Sequence, residues 1–94
     1  MTGIAPLNVG FDNIVNAERV IAIASADPSP MKRLRDAALR HRKLVDATNG
    51  RRTRALIVTD SDHVILSSLQ PETLMLRLQE LRSGPRAAGE RERA

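Results

Sequence analysis

Three arginines within four positions, Arg51, Arg52 and Arg54, follow directly on an Asn49-Gly50 pair. Asn-Gly tolerates the positive φ angles of a tight turn, and the apolar runs Leu44-Val45 and Ala55-Leu56-Ile57-Val58 flank it, so the pattern predicts a hairpin with a charged tip. Guanidinium groups on a short, stiff turn suit bidentate contact with phosphate or carboxylate, which makes the stretch a candidate anion-binding finger. Any one of these arginines could instead be satisfied by Asp46 or Asp60, or could bridge subunits. Three together, beside a basic helix, exceed the nearby acids. Such a surplus is what phosphate-backbone binding needs, and double-stranded DNA is the simplest polyanion to consider.

Other groups offer less chemistry. Asp60, Asp62 and His63 could be imagined as metal ligands, but two acids beside a histidine in a turn read more simply as turn formers and solvated groups. A hydrolase would have to draw on Ser61 or Ser67 with His63 and Asp62; neighbouring positions on a strand point to opposite faces, so convergence is not expected. Gly50 lacks the glycine spacing and following helix of a phosphate loop. His41 reads as a surface residue. No enzyme activity, metal site, cofactor or small-molecule substrate is expected.

The net charge of +4 hides an asymmetry. Between Lys32 and Arg54 stand nine Lys and Arg against two Asp, whereas the segments on either side are slightly acidic. A single-sign block within a folded domain points to a polyanionic partner: nucleic acid, an anionic surface or an acidic protein. Phe11 is the one aromatic residue, too few for a single-strand stacking platform. The absence of cysteine excludes disulfides and thiol chemistry and suits a reducing cytoplasm. With no basic leader before an apolar run and no apolar run of about 18 residues, secretion and membrane spanning are disfavoured.

At 94 residues the chain is expected to form one domain over residues 1–82, followed by a disordered Arg/Glu tail at 83–94. The expected class is α+β: a small antiparallel meander with two helices. Alternation predicts a first strand over residues 6–11 and a second centred on 19–25, with Arg19 at its entrance. Ser29 as N-cap and Pro30 as first helical residue open a helix running to about Lys43. Its apolar stripe is Met31, Leu34 and Ala38; Lys32, Arg33, Arg35, Arg40, Arg42 and Lys43 fill much of the remainder, either as a solvated face or as part of a binding surface.

Leu44–Thr48, Thr53–Thr59 and Val64–Ser68 then read as three meander strands joined by Asn49-Gly50 and Asp60-Ser61-Asp62. In that register Leu44, Ala55 and Ile57 share one face, and Val45, Leu56 and Val58 the other. Arg54 lies opposite Val45 at the strand base, with a structural role before a DNA-binding one. Apolar residues on both faces require cover on both sides. Pro71 starts a second helix with a Leu74, Leu78, Leu81 stripe; Met75 and Leu76 lie off that stripe and suggest an oligomer contact.

Several segments in order, Asn8-Val9-Gly10-Phe11, Ser29-Pro30-Met31-Lys32-Arg33, Asp46-Ala47-Thr48, Gly50-Arg51-Arg52-Thr53-Arg54, Asp60–Ser67 and Gln70-Pro71-Glu72-Thr73, resemble the RemA family of bacterial regulatory proteins. The resemblance is collinear from about residue 6 to residue 80. It implies a small α/β protein without enzymatic activity that assembles into closed homo-oligomeric rings of about seven or eight subunits. It also implies double-stranded DNA binding, activation of biofilm-matrix and some osmoprotection genes, and a cytoplasmic, nucleoid-associated location. By the same resemblance the DNA-contacting residues are Arg19, Arg51 and Arg52; Lys32, Arg33 and Arg35 are candidates for additional contacts. Asn49 stands where relatives commonly carry Tyr, and Asp12 replaces a common Gly. Two rival readings are a structural or interaction module whose arginines hold an oligomer or bind an acidic protein, and a small enzyme acting on an anionic metabolite in a closed pocket beside Arg51.

Overall fold

The computed structural model describes residues 5–81. β1 (Pro6–Asn8) and β2 (Ile14–Asn16) form an antiparallel hairpin in which Leu7 pairs with Val15. The strand expected over residues 6–11 stops at Asn8, because the Asn8 side chain accepts the Gly10 N–H at 2.8 Å and the chain turns. Phe11 and Asp12 make that turn at φ +53° and +64°, closed by the Asn13 N–H donating to the Gly10 carbonyl at 3.0 Å. Asp12 thus occupies a left-handed position that favours glycine.

A single 3₁₀ turn, Ala17–Arg19, leads into β3 (Val20–Ser25). Helix α1 (Ser29–Arg40) follows; Pro28 is its cap and Ser29 already lies inside it. It ends before the predicted Lys43 because Arg42 adopts φ +59°. The Arg42 N–H then donates to the Leu39 carbonyl and the Lys43 N–H to the Ala38 carbonyl, a Schellman termination that turns the chain back toward the sheet.

β4 (Leu44–Asp46), β5 (Ala55–Thr59) and β6 (Val64–Ser67) complete a four-stranded sheet of order β3-β5-β6-β4. β5 pairs antiparallel with β3 and with β6, and the turn at Asp60-Ser61-Asp62 joins β5 to β6 as predicted. The Asn49-Gly50 hairpin is overturned: β4 lies parallel to β6, with Leu44 beside Val64, and is not paired with β5. Local turn chemistry is present, but Ala47 and Thr48 are buried and draw the chain across the end of β6 before β5 begins. Leu44 consequently packs with Leu56 and Val58, not with Ala55 and Ile57. The meander is therefore a mixed sheet within the same α+β class.

Both faces are covered. Met31, Leu34 and Ala38 of α1 pack on Leu56, Val64 and Leu66. On the other face, Leu7 and Val9 from the hairpin and Leu74 from a second helix, α2 (residues 71–81), pack on Ala55, Ile57 and Ile65. Leu7, Ile57 and Leu74 are fully buried, and each contributes on the order of 2 kcal/mol through removal from water. Arg77 of α2 donates to the Asn8 carbonyl at 3.0 Å, tying the helix to β1. Leu78 and Leu81 join Leu74 against this core, whereas Met75 and Leu76 are exposed, as their offset from the stripe predicts. No helix among the described residues is long and apolar enough to cross a membrane. The tail expected at 83–94 lies outside the described residues.

Candidate nucleic-acid interface

The segment leading to the arginines is built from the Asp46 side chain outward. Its carboxylate accepts the Thr48 hydroxyl at 2.6 Å and the Thr48 N–H at 2.9 Å. These bonds, the hydroxyl first and the backbone second, hold the Asp46 carboxyl below the usual carboxylate range, against a smaller opposing effect of burial. Asn49 and Gly50 follow at φ +53° and +80°, and the Arg51 N–H donates to the Thr48 carbonyl at 3.0 Å. This is the two-residue turn with both central φ angles positive. It presents Arg51 and Arg52 to solvent.

Arg51 is further oriented by Phe11, whose ring centroid lies 5.7 Å from the guanidinium carbon. The hairpin tip is fixed beside it by Asn13, whose amide reaches the Ala47 carbonyl at 3.5 Å. Arg52 Nη2 stands 3.7 Å from Asp27 Oδ1, with both side chains well exposed, so the pair is weak and leaves most of the guanidinium free. Arg54 has a backbone role: its N–H donates to the Ser67 carbonyl and its own carbonyl accepts the Ala26 N–H. Val45, expected opposite it, sits two strands away.

Helix α1 starts two residues beyond Asp27, so exposed Lys32 and Arg33 extend the cationic end that holds Arg51 and Arg52. Arg35 is half-buried, 3.9 Å from Asp36. Arg19 is not brought together with Arg51 and Arg52. It precedes Val20, which pairs with Thr59, whereas the Arg51-Arg52 end adjoins the Ser25–Ala55 pair. The intervening length of β5 is about 13 Å, so the two cationic positions mark opposite ends of the sheet. Arg19 Nε donates to both oxygens of Asp60, at 2.9 and 3.2 Å, and the Arg19 carbonyl accepts the Asp60 N–H.

Sequence reasoning missed Phe11 as a partner of Arg51 and Asp60 as the residue that orients Arg19. The presence of a lone aromatic was a signal for the first; the second joins residues far apart in the chain and had none. The expectation that Ser61 and His63 diverge is corrected. They lie in a turn two residues apart, and Ser61 Oγ is 2.7 Å from His63 Nδ1. No carboxylate bonds to His63 among the described residues, so a hydrolase triad is not formed. No group of three or more potential metal ligands occurs among them either.

A model of the RemA-like family, described as extracellular matrix regulatory protein A-like, matches residues 7–78, a span containing every arginine and lysine considered above. A Thermodesulfovibrio yellowstonii protein is 53% identical over 75 residues, covering 80% of this chain and 88% of its own. Proteins of Brevibacillus brevis and Geobacillus thermodenitrificans are each 60% identical over 72 residues, covering 77% of this chain and 84% and 83% of theirs. All three carry the name "Putative regulatory protein". The matched family is described by regulation and not by a reaction. The chain belongs to the RemA-like family.

Proposed function

We propose that this chain is a regulator of transcription that binds the phosphate backbone of double-stranded DNA, with Arg51 and Arg52 as principal contacts and Arg19 as a separate one. The observation that carries this reading is the placement of Arg51 and Arg52, exposed on a turn that Asp46, Thr48 and Phe11 hold in place. Preorganised guanidinium groups lose little freedom on meeting phosphate. Lys32 and Arg33 extend the same end; half-buried Arg35 is a lesser contributor. The names of the relatives and the description of the family support a regulatory role at matrix genes.

One copy offers few contacts, so affinity would come from repetition of the arginines around a homo-oligomer, through effective concentration. Exposed apolar side chains on opposite sides of the sheet, Ile21 and Met75 beside β3 and Ile14 and Val45 beside β4, support association through two different patches. Two unlike patches favour head-to-tail contacts, which close into a ring when the rotation permits. Phosphate contacts carry no base code, so selectivity would rest on repeated tracts and DNA bendability. Such work belongs on the nucleoid.

The ion pairs Arg19–Asp60 and Arg52–Asp27 favour the second reading, in which the arginines are structural. An Arg51→Ala, Arg52→Ala double variant separates the two. Loss of duplex binding with unchanged oligomeric mass on a sizing column supports DNA contact; loss of oligomeric mass assigns the arginines to assembly.

A further inference from the structure

A cleft of about 380 Å³ opens between β4 and the β1–β2 hairpin, running from Asn13 and Ala47 near the Arg51 turn to Arg19 and Thr59 at the other end of the sheet. Val15 and Ile65 contribute its apolar side with fully buried Val9 behind them, and Ile14 and Val45, one of the two patches assigned above to subunit contact, lie at its margin. Arg19, Thr59, Ser61 and His63 line it as well, and no carboxylate does so among the described residues.

The donors are arranged by bonds within the protein. The His63 N–H donates to Thr59 Oγ1 at 3.2 Å, Thr59 Oγ1 is 3.0 Å from Ser61 Oγ, and Ser61 Oγ is 2.7 Å from His63 Nδ1. If the protons ran the other way, the acceptor left to Thr59 within the protein would be the His63 carbonyl at 3.5 Å, long for an O–H···O bond. With Thr59 donating to Ser61 and Ser61 to Nδ1, the order assigned on these distances, Nδ1 is an acceptor and the imidazole proton lies on Nε2. Nε2–H has no partner among the described residues. Arg19 is held through Nε by Asp60, which leaves its terminal N–H groups without a described partner.

We propose that this cleft binds a small phosphomonoester, with the Arg19 guanidinium and His63 Nε2–H holding the phosphate and the exposed parts of Val15 and Ile65 receiving the organic body. A guanidinium fork alone can satisfy a carboxylate; the additional imidazole donor suits the third oxygen of a phosphate. Because Arg19 is also a proposed DNA contact, occupancy would compete with DNA for that residue. This regulatory consequence rests on the DNA-binding reading, whereas occupancy of the cleft does not.

The test uses inorganic phosphate as probe on the full chain, following the His63 imidazole and Arg19 Nε resonances by NMR against chloride at matched ionic strength. Saturable shifts with phosphate, weakened about tenfold in Ser61→Ala and absent in Arg19→Ala, are expected for loss of a charged hydrogen-bonding partner. Shifts equal to those with chloride, or equalled by acetate, overturn the site. Duplex affinity should fall about threefold beyond the matched chloride control once phosphate reaches twice its own Kd. Saturation without that fall overturns the competition. If phosphate saturates the cleft while no duplex binds at any salt, the site stands and the DNA reading fails; steeply salt-dependent duplex binding with phosphate acting as chloride gives the reverse.

Discussion

The guanidinium carbon of Arg51 lies 5.7 Å from the centre of the Phe11 ring, joining the turn that carries the arginines to the tip of the β1–β2 hairpin. The only aromatic residue of the chain is thus spent on an exposed cation, at a backbone angle of φ +53° that an L-residue adopts at a cost. Removing the ring should loosen Arg51 without disturbing the core. Phe11→Ala is expected to weaken duplex binding by about two- to fivefold, from a cation–π contact of about 0.5–1 kcal/mol. Fluorescence anisotropy with a labelled duplex measures this. Unchanged affinity would mean that Arg51 does not need the support.

Asp46 should make the same segment sensitive to acid. Its folded carboxyl titrates below its ordinary value because it accepts the two Thr48 bonds. Its stabilising contribution is therefore fully present above the unfolded pKa of about 3.9 and is lost as pH falls through the lower folded value. Asp46→Ala is expected to cost about 1 kcal/mol in urea unfolding at neutral pH. The difference from the parent should shrink toward pH 3. A gap of the same size at both pH values would contradict the assignment.

Asp12 holds φ +64° with its side chain exposed, in the left-handed region that favours glycine. Asp12→Gly should remove the left-handed penalty and raise stability by about 0.5 kcal/mol, the relief being partly offset by the freer unfolded chain. It also removes a carboxylate from the neighbourhood of Arg51. Thermal unfolding and duplex affinity should rise together; a lower Tm would show that the turn relaxes differently.

The bonds from Arg19 to Asp60 orient a cation while offsetting part of its charge. In a DNA-contact role, Asp60→Asn should change stability by less than about 1 kcal/mol, as for an exposed ion pair, and should tighten duplex binding a few-fold. Arg19→Ala should weaken it. Dissociation of the oligomer by Asp60→Asn, measured on a sizing column, would place the pair in assembly instead.

The Asn49-Gly50 turn was legible in the sequence because two consecutive positive φ angles demand residues of that kind. Its consequence for the sheet was not, since a turn constrains four residues and says nothing about which strand lies next to which. Burial of Ala47 and Thr48 sends β4 alongside β6, and that preference arises from a core assembled by distant segments. The same limit moved Leu44 to the other face. Met75 and Leu76 were legible as outliers because helical periodicity is local. Arg19 was reached through family resemblance, and its separation from Arg51 and Arg52 emerges only once Val20 pairs with Thr59. The Ser61–His63 contact was missed because strand alternation was applied to residues that form a turn.

The most direct test of DNA binding through repeated cationic contacts is the mass of the native particle with and without duplex DNA across a salt series. A multi-subunit particle should gain the mass of the duplex at low salt and release it as salt rises, with log K falling by about 0.9 per decade of salt for each phosphate contact. The protein assembly itself should persist throughout. A single-chain mass that never takes up duplex, or duplex binding that barely changes with salt, would contradict the account.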